Sequence, residues 1–510
     1  MSCCECTEKP VELTPEPEIL RDELLLLILM LLFSQTIIWN FRTMSMCPVH
    51  PKDGQISPGV LLKYGMVLYA FLLFLTPWGI REAWGAERQL SFAAAVKIAL
   101  EDNSEIRAVK NSVAARKEDI GVAGSRLLPS ISFEERYMRT TNPTYAFMAK
   151  LNQKRFTGQD FAVDSLNNPD AINDFQTAFT IEQPVFVKNA YVGLDMSRTE
   201  HAAEIELFKR KKEEIAFKVA HTYLMVHTAK EYVAVTEKAV VDAKEHLRIA
   251  RLKYDVELGL YSDTLRANTA LMEAAQKNVS AKKNLELAKR ALGLLMGLTE
   301  SVDITDNLPE IPAMELDYYT KASMTRKDIK SMELRSENAK KSIRLAEADY
   351  FPSIGIGGSY QLNDHRYPFG SEGDSWQVMA YLRWYLFDGM KRDYEKTKAK
   401  YRAAEMDEQL KGLKTSISYR VYDAYLALEE VRKNVELSRE ALKTAEEGKR
   451  IVKMRYETAF SPIVDLLDAQ LVNDRARANL VARENEYRLA TVNLSFESGT
   501  ILNDLKIESE

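Results

Sequence analysis

The sequence predicts an α+β fold, in which a long α-helical coiled-coil barrel joins a membrane β-barrel to which each chain contributes four strands. Three observations predict it. One order of elements occurs twice along the chain, long segments contain almost no glycine or proline, and four short segments alternate between apolar and polar or small residues. Helical and strand periodicity are the main structural signals in a sequence, and both are present here.

Composition excludes several functional classes. The chain has 510 residues and a formal net charge of −5, and its basic residues form no stripe of the kind that binds nucleic acid. All four cysteines precede residue 60, so the rest of the chain can form neither a disulfide nor a thiolate metal site. The six histidines are scattered, and no nucleophile is recognisably paired with a base. We therefore predict no enzyme activity, no cofactor, no metal and no nucleic acid partner.

Residues 1–86 are predicted to form a tail and a secretory signal sequence. Lys63 precedes an apolar stretch at 66–75, and the small residues Gly85 and Ala86 offer a cleavage site. Another apolar stretch, at 24–39, has no place in such a signal. Two explanations stay open for it: an N-terminal membrane anchor, or a start codon assigned too early.

The rest of the chain is predicted to form two structural repeats, residues 87–313 and 314–510. Two pairs of segments match between the repeats: 105–131 with 328–354, and 253–267 with 455–469. The offset falls from 223 residues in the first pair to 202 in the second, which indicates an insertion in the first repeat. The polar stretch Arg139–Asp174 is expected to contain this insertion as a surface loop.

Each repeat is predicted to contain one very long helix. The segments 194–258 and 390–460 have apolar residues at helical spacing, and each would form a rod of about 100 Å. Two shorter helices flank each rod and together cover its length. They are predicted at 91–127 and 264–292 in the first repeat, and at 314–350 and 463–498 in the second. Such helices pack through apolar stripes as antiparallel coiled-coil pairs.

The strand pattern is clearest in FPSIGIGGSYQL, residues 351–362. Its apolar residues occupy alternate positions: Ile354, Ile356, Tyr360 and Leu362. The same alternation occurs at 376–387, and shorter forms occur at 130–134 and 175–182. Strands of about ten residues with one apolar face are typical of membrane barrels that enclose water. A phosphate-binding glycine loop fits poorly, because here a helix precedes the glycines and a strand follows them.

Four strands cannot close a barrel. An open sheet edge in lipid leaves backbone groups without hydrogen bonds, at a cost of several kcal/mol for each group. The smallest closed membrane barrels have about eight strands, so two or three chains must share one barrel. The residues alone exclude neither a dimer nor a trimer.

About residues 88–503 resemble the TolC-like outer-membrane factor family. The resemblance is carried by Leu-Pro-Ser-Ile and Phe-Pro-Ser-Ile before the first strand of each repeat, by YLFDGMKRD at 385–393 and by RYETAFSPIVDLLDAQ at 455–470. It implies a homotrimer, with a twelve-stranded barrel in outer-membrane lipid above a helical barrel that crosses the periplasm. It further implies a passive exit duct of a tripartite efflux or type I secretion system, with a periplasmic adaptor protein and an inner-membrane pump as partners.

The resemblance also implies functional residues at the turns between long and short helices, which form the periplasmic tip in that family. Asp465 and Asp468 match carboxylates that ring the constriction, and Tyr456 and Asp263 match residues that hold it closed. Threefold symmetry would gather six carboxylates around a narrow axis, which favours cations. An alternative stays open for Asp263 and Asp465, because a helix N-terminus stabilises negative charge without any gating role.

The tip departs from the family pattern at three positions. Family members usually have glycine three residues after the tip tyrosine, whereas Glu257 and Ala459 occupy these positions here. Some members place a basic residue where this chain has Ser461. The closure at Tyr456 is therefore expected to be weaker or differently connected.

One alternative function stays open on the sequence: a coiled-coil structural protein that spans the periplasm without conducting. Metal export by the 18 methionines is not supported, because these form no cluster and methionine more often fills protein cores. A channel and a structural protein differ in whether the purified protein conducts ions.

Overall fold

A computed structural model describes residues 88–507 of the chain. The predicted tail and signal sequence at 1–86 lie outside the described residues. The helices of eight or more residues are α1 (Phe92–Asp102), α2 (Ser104–Ser125), α3 (Pro143–Asn152), α5 (Lys188–Asp255), α6 (Tyr261–Leu295), α7 (Leu316–Ser323), α8 (Lys327–Ala348), α9 (Lys391–Glu457) and α10 (Ile463–Ser498). Two shorter helices are α4 (Val163–Asn167) and α11 (Ile501–Asp504). The strands are β1 (Arg88–Leu90), β2 (Ser130–Thr140), β3 (Ile172–Phe186), β4 (Val302–Ile304), β5 (Ser353–Asp364) and β6 (Gly373–Arg383).

Both predicted long helices are confirmed. α5 has 68 residues and α9 has 67, so each is about 100 Å long. α10 begins and ends where the sequence predicts, and α6 begins three residues earlier than predicted. Among the described helices, none has an apolar stretch of the length and hydropathy needed to cross a bilayer.

Each helix predicted to open a repeat is two helices in the structure. The first divides at Asn103, whose backbone is extended and whose side chain accepts a hydrogen bond from the Glu105 amide at 2.8 Å. The Asn103 amide group also donates to the carbonyl of Leu295 at 2.7 Å. The second divides before Arg326, whose backbone is not helical (φ −56°, ψ 149°) and whose guanidinium is buried. Neither break contains proline or glycine. Asn103 caps α2 locally, and at both breaks a side chain also bonds to a distant part of the chain.

α5 is the common packing partner of the surrounding helices. Near the sheet, Glu204 of α5 accepts hydrogen bonds from Ser112 of α2 at 2.9 Å and from Arg335 of α8 at 3.3 Å. Further along α5, Thr236 lies 3.3 Å from Asn278 of α6. Two short helices, α2 and α6, therefore lie along successive parts of one long helix, as the sequence predicts.

A compact core surrounds the middle of α5. β1 pairs in parallel with β4, and the Phe92 ring meets the Tyr223 ring edge-on at a centroid distance of 5.4 Å. The Tyr223 hydroxyl donates to the carboxylate of Asp306. The sequence does not predict β1 or β4, because three residues are too few for a periodic pattern.

The four predicted membrane strands form one sheet in the order β2-β3-β5-β6, with every pair antiparallel. Ile131 lies opposite Ile181, Ile181 opposite Gly358, and Gly358 opposite Val378. β6 ends at Arg383, so the predicted strand residues 384–387 lie beyond it. Within residues 88–507, β2 and β6 each pair with a single strand, which leaves two open edges.

The predicted difference between the two sheet faces is confirmed. Apolar residues share one face and are exposed: Ile131, Phe133, Phe179, Ile181, Ile356, Val378 and Leu382. The opposite face carries polar and small residues, among them Ser132, Thr180, Gly357, Ser359 and Gln377. On this polar face, a Cβ at Gly355 would lie 2.5 Å from the Tyr381 hydroxyl, so only glycine lets Tyr381 cross the neighbouring strand.

The insertion between β2 and β3 is more ordered than the predicted surface loop. It contains α3, α4 and a short 3₁₀-helix at Gly158–Phe161. Ala146 and Ala149 of α3 are buried together with Ile172 of β3. The composition of this segment is typical of loops, but α3 still buries two alanines against the sheet.

Candidate functional site

The two turns between long and short helices have the same backbone structure. Each long helix ends in two reversed hydrogen bonds that cap its last carbonyl groups. They are Leu258 N to Lys253 O (2.7 Å) and Glu257 N to Tyr254 O (3.0 Å) in one turn, and Phe460 N to Arg455 O (2.8 Å) and Ala459 N to Tyr456 O (3.1 Å) in the other. This cap requires a left-handed residue after the helix, and Glu257 and Ala459 adopt that conformation. The two departures from the family's glycines therefore lie at the positions where glycine is favoured.

Tyr456 joins the two helical hairpins at the tip. Its side chain is 4% exposed and packs in an apolar cluster. The other buried members of this cluster are Leu247, Ala250, Ala267, Ile463 and Leu466. They come from α5, α6 and α10, so Tyr456 of α9 stabilises contact between the hairpin α5–α6 and the hairpin α9–α10.

Lys253 is a second link between the hairpins, and sequence reasoning missed it. Its ammonium group donates to the carbonyl of Tyr456 and lies 4.2 Å from the centroid of the same ring. A cation over an aromatic face is attracted by about 0.5 to 2 kcal/mol. The position could have been found from the repeat, because Lys253 precedes Tyr254 as Arg455 precedes Tyr456.

Asp263 lies close to Tyr456. It belongs to the first turn of α6 and lines a small cavity together with Lys253, Tyr456 and Ser461. Burial raises the pKa of the Tyr456 phenol, and the negative charge of Asp263 acts in the same direction. The phenol is therefore uncharged at physiological pH, and contact between the hairpins depends on packing rather than on an ionised tyrosine.

Asp465 and Asp468 are both exposed on α10, and the structure does not bring them to Tyr456. The Ser461 hydroxyl donates to Asp465 Oδ2 at 2.6 Å. Asp468 lies further along the helix, beside the groove between α6 and α10. Leu466, between them in sequence, is buried against α5, so both carboxylates point away from the core of their own chain.

A partly buried polar layer crosses the contact between the hairpins, and sequence reasoning missed this layer too. Its members are Asp242 and His246 of α5, Lys449 of α9, and Gln470 and Asp474 of α10. Asp242 Oδ2 lies 2.7 Å from the Lys449 ammonium and 3.4 Å from the Gln470 amide nitrogen. Gln470 also lies 3.2 Å from His246 Nε2. These residues are far apart in sequence, so no local motif marks them.

Burial and neighbouring charges shift the pKa values of three groups in this polar layer. Burial lowers the pKa of the His246 imidazole, and the positive charge of Lys449 adds to this effect. Burial also raises the pKa of Asp474. For Asp242, burial acts to raise the pKa, but the Lys449 ammonium outweighs it and holds the pKa below its usual value. At neutral pH the layer therefore contains an ion pair beside an uncharged histidine.

One group of potential metal ligands lies in the connection between β5 and β6. Asp364, His365 and Glu372 place their ligand atoms within 4.8 Å of one another. The Arg366 guanidinium donates to His365 Nε2 at 2.9 Å, which assigns the ring proton to Nδ1, where Glu372 accepts it. This arrangement suits a hydrogen-bonded loop better than a metal site.

Comparison with known proteins identifies the family. The sequence pattern described as "Outer membrane efflux protein" matches residues 95–298 and 318–500. Nodulation protein T of Rhizobium leguminosarum bv. trifolii is 20% identical over 293 residues, which cover 55% of this chain and 62% of that protein. Outer membrane protein OprJ of Pseudomonas aeruginosa is 23% identical over 288 residues, covering 54% and 59%. The chain thus spans about three fifths of the length of the curated relatives it matches.

Solved structures share the fold. A membrane protein from Pseudomonas aeruginosa superposes with a TM-score of 0.68 at 18% identity, covering 82% of this chain and 92% of that one. The CmeC outer membrane channel of Campylobacter jejuni gives 0.66 at 17% identity, covering 80% and 86%. The fold is therefore shared with a protein described as an outer membrane channel. The chain belongs to the outer membrane efflux protein family and is located in the outer membrane, from which it extends into the periplasm.

Proposed function

We propose that the chain is one protomer of a homotrimeric exit duct, through which cargo leaves the cell passively. The single observation that carries this proposal is the sheet, which has an exposed apolar face, a polar face and two open edges. Open edges in lipid are costly, so copies of the chain must pair them. Three copies supply twelve strands and enclose a lumen lined by the polar face.

The helices support the same assembly. Apolar residues of α6 are exposed at near-heptad spacing: Leu265, Met272, Val279, Leu287 and Leu294. Such a stripe is typical of a coiled-coil contact that lacks its partner helix. In the proposed trimer, this stripe packs against a neighbouring copy, and the long helices continue the duct as a helical barrel. The two repeats, 87–313 and 314–510, then contribute six similar hairpins around the axis.

The gate of the duct is proposed at the helical tip. Asp465 and Asp468 of three copies would place six carboxylates around the axis, which favours cations and hinders anions. Tyr456, Asp263 and Lys253 hold the hairpins together within each protomer and thereby keep the tip closed. Opening requires the hairpin α9–α10 to separate from α5–α6.

The proposed export depends on partner proteins for its energy and for delivery of its cargo. A wide polar duct performs no chemistry and stores no energy, so an inner-membrane pump and a periplasmic adaptor protein are proposed to deliver cargo, as in a tripartite efflux or type I secretion system. Photo-crosslinkers placed at the tip turns in cells should capture the adaptor. Recovery of no adaptor from any tip position would refute this part of the proposal.

Planar-bilayer recording of the purified trimer tests the duct itself. We expect small, cation-preferring conductance steps. The double substitution Asp465→Ala with Asp468→Ala should enlarge the steps and weaken the preference for cations. A matched control, Glu118→Ala with Glu408→Ala, removes two exposed carboxylates of α2 and α9 far from the tip and should change neither property. If the purified protein never conducts, the alternative holds instead: the chain is a non-conducting coiled-coil structural protein.

A further inference from the structure

The insertion between β2 and β3 lies on the polar face of the sheet, not beside it. It leaves β2 at Thr140 and rejoins β3 at Ile172, which are paired neighbours at the end of the sheet away from the long helices. Between them, residues 141–171 fold back across the strands. The equivalent connection in the second half, residues 365–372, is short and has no such helices. Three separate contacts fix where the insertion lies.

The first contact is apolar and involves β3. Ala146 and Ala149 of α3 are buried against Ile172. Ile172 lies two residues before Asp174 and four before Gln176, so all three side chains share the polar face of the strand. α3 therefore covers the polar face at its outer end.

The second contact is a buried hydrogen-bond network that joins the insertion to β3 and β5. The Gln153 side chain is 1% exposed, and its amide nitrogen donates to the carbonyl of Asn173 at 2.8 Å and to Asp174 Oδ1 at 2.9 Å. The Asn363 amide donates to the same Asp174 oxygen at 3.0 Å. Buried polar groups that satisfy each other in this way hold a segment in one position.

The third contact reaches β6. Gly373, the first residue of β6, belongs to the polar face, and a Cβ at this position would lie 1.8 Å from the carbonyl oxygen of Asn152. The close approach therefore requires glycine. Beside it, Lys154 forms an ion pair with Asp374 at 2.5 Å. The insertion thus contacts β3 and β6 directly and is linked to β5 through the carboxylate of Asp174.

We infer that the insertion forms a second constriction, at the outer mouth of the duct, separate from the gate at the tip. The inference rests on the proposed function, because the polar face lines the lumen only in the assembled barrel. Three insertions, each crossing the polar face of its own four strands, narrow the lumen from all sides. Exposed polar residues outnumber exposed apolar ones in the insertion, and the large apolar side chains Tyr145, Met148, Phe161 and Val163 are exposed among them. The bulk of three insertions at a narrow point resists the passage of large hydrated solutes from outside.

Shortening the insertion tests this inference. Residues 141–171 are replaced by Asn-Gly, because Thr140 and Ile172 are paired and a two-residue turn closes such a pair. The replacement is made in the Asp465→Ala/Asp468→Ala background, so that the tip does not limit the current. In planar bilayers we expect a larger conductance, and we expect larger neutral polyethylene glycols, added on the outer side, to enter the channel.

A point substitution gives an independent test if the shortened protein fails to form trimers. Gly373→Ala should displace the insertion through its clash with Asn152 and should enlarge the conductance in the same way. Gly357→Ala is the matched control, because its Cβ would lie 3.4 Å from the nearest atom on the same face and should leave the current unchanged. If either variant forms conducting trimers but passes the same current and admits polymers of the same maximum size as the background protein, the second constriction is overturned. A background protein that does not conduct would instead overturn the duct.

Discussion

Glu257 and Ala459 adopt the same left-handed backbone conformation, with φ of 59° and 63°, at equivalent turns of the two halves of the chain. A residue with a Cβ is disfavoured there by about 1 to 2 kcal/mol. We expect Ala459→Gly to stabilise the tip by about 1 kcal/mol, after subtraction of the greater freedom of glycine in the unfolded chain. Thermal unfolding followed by circular dichroism should show a higher midpoint.

A helical alanine provides the control for this prediction. Ala469→Gly, inside α10, makes the same chemical change where the backbone is right-handed, and it should destabilise by about 1 kcal/mol. If both substitutions lower the unfolding midpoint, the left-handed backbone at Ala459 does not reduce the stability of the tip.

Lys253 offers a direct test of how the hairpins are held together. Lys253→Met keeps most of the apolar stem but removes the ammonium group that donates to the Tyr456 carbonyl and lies over its ring. We expect the tip to open more often, measured as a higher open probability in planar bilayers. Arg455→Met changes the equivalent but exposed residue of the other hairpin and should have little effect. Equal effects of the two substitutions would show that lost surface charge, rather than the Tyr456 contact, is responsible.

The sequence predicts the long elements well and their junctions less well. The lengths of α5, α9 and α10 follow from helical periodicity, and the faces of the four strands follow from alternation. The breaks at Asn103 and Arg326 are not predicted, because each depends on a side chain bonded to a distant part of the chain.

The same limit applies to the candidate site. Tyr456 and Asp263 are found from the resemblance, and the structure places them around one small cavity. Lys253 and the polar layer around His246 are missed, since three-dimensional packing brings together residues that no local motif connects. The roles of Asp465 and Asp468 stay predictions, because they depend on symmetry between copies.

Arg326 is predicted to be among the most sensitive positions of the chain. Its guanidinium side chain is 2% exposed and lies 2.7 Å from Asp328 and 2.9 Å from Glu497. Arg326→Ala would leave two partly buried carboxylates without this partner and should destabilise the protein by about 3 kcal/mol. The measurement is the shift in the thermal unfolding midpoint of the purified protein.

Arg420 supplies the matched comparison, because it contacts the same Glu497 at 3.5 Å from a side chain that is 44% exposed. Arg420→Ala should cost about 0 to 1 kcal/mol. Similar losses for the two arginines would contradict the claim that burial determines the energy of this pair.

His246 should make the contact between the hairpins sensitive to acid. Burial lowers the pKa of its imidazole in the folded chain, so the unfolded chain binds a proton at higher pH. Stability from this residue is therefore complete above about pH 6.5 and decreases as the pH falls below that value. Asp474, whose pKa is raised by burial, acts in the opposite direction as the pH falls.

The histidine contribution is isolated by comparing variants. The unfolding midpoint of the unmodified protein should fall between pH 7.5 and 5.5, and His246→Gln should reduce this fall. His201→Gln, on the same helix but close to the sheet, should leave the fall unchanged. If His246→Gln retains the full loss of stability, other groups carry the acid sensitivity.

The exposed apolar face of the sheet has a consequence for how the protein is made. Newly exported chains must travel through water before they reach lipid, and a folded sheet with Phe133, Phe179 and Val378 on its surface would aggregate on the way. Folding of the strands and insertion into the membrane must therefore coincide. The strands must therefore stay unfolded in water until lipid is within reach, so folding and membrane insertion limit each other during biogenesis.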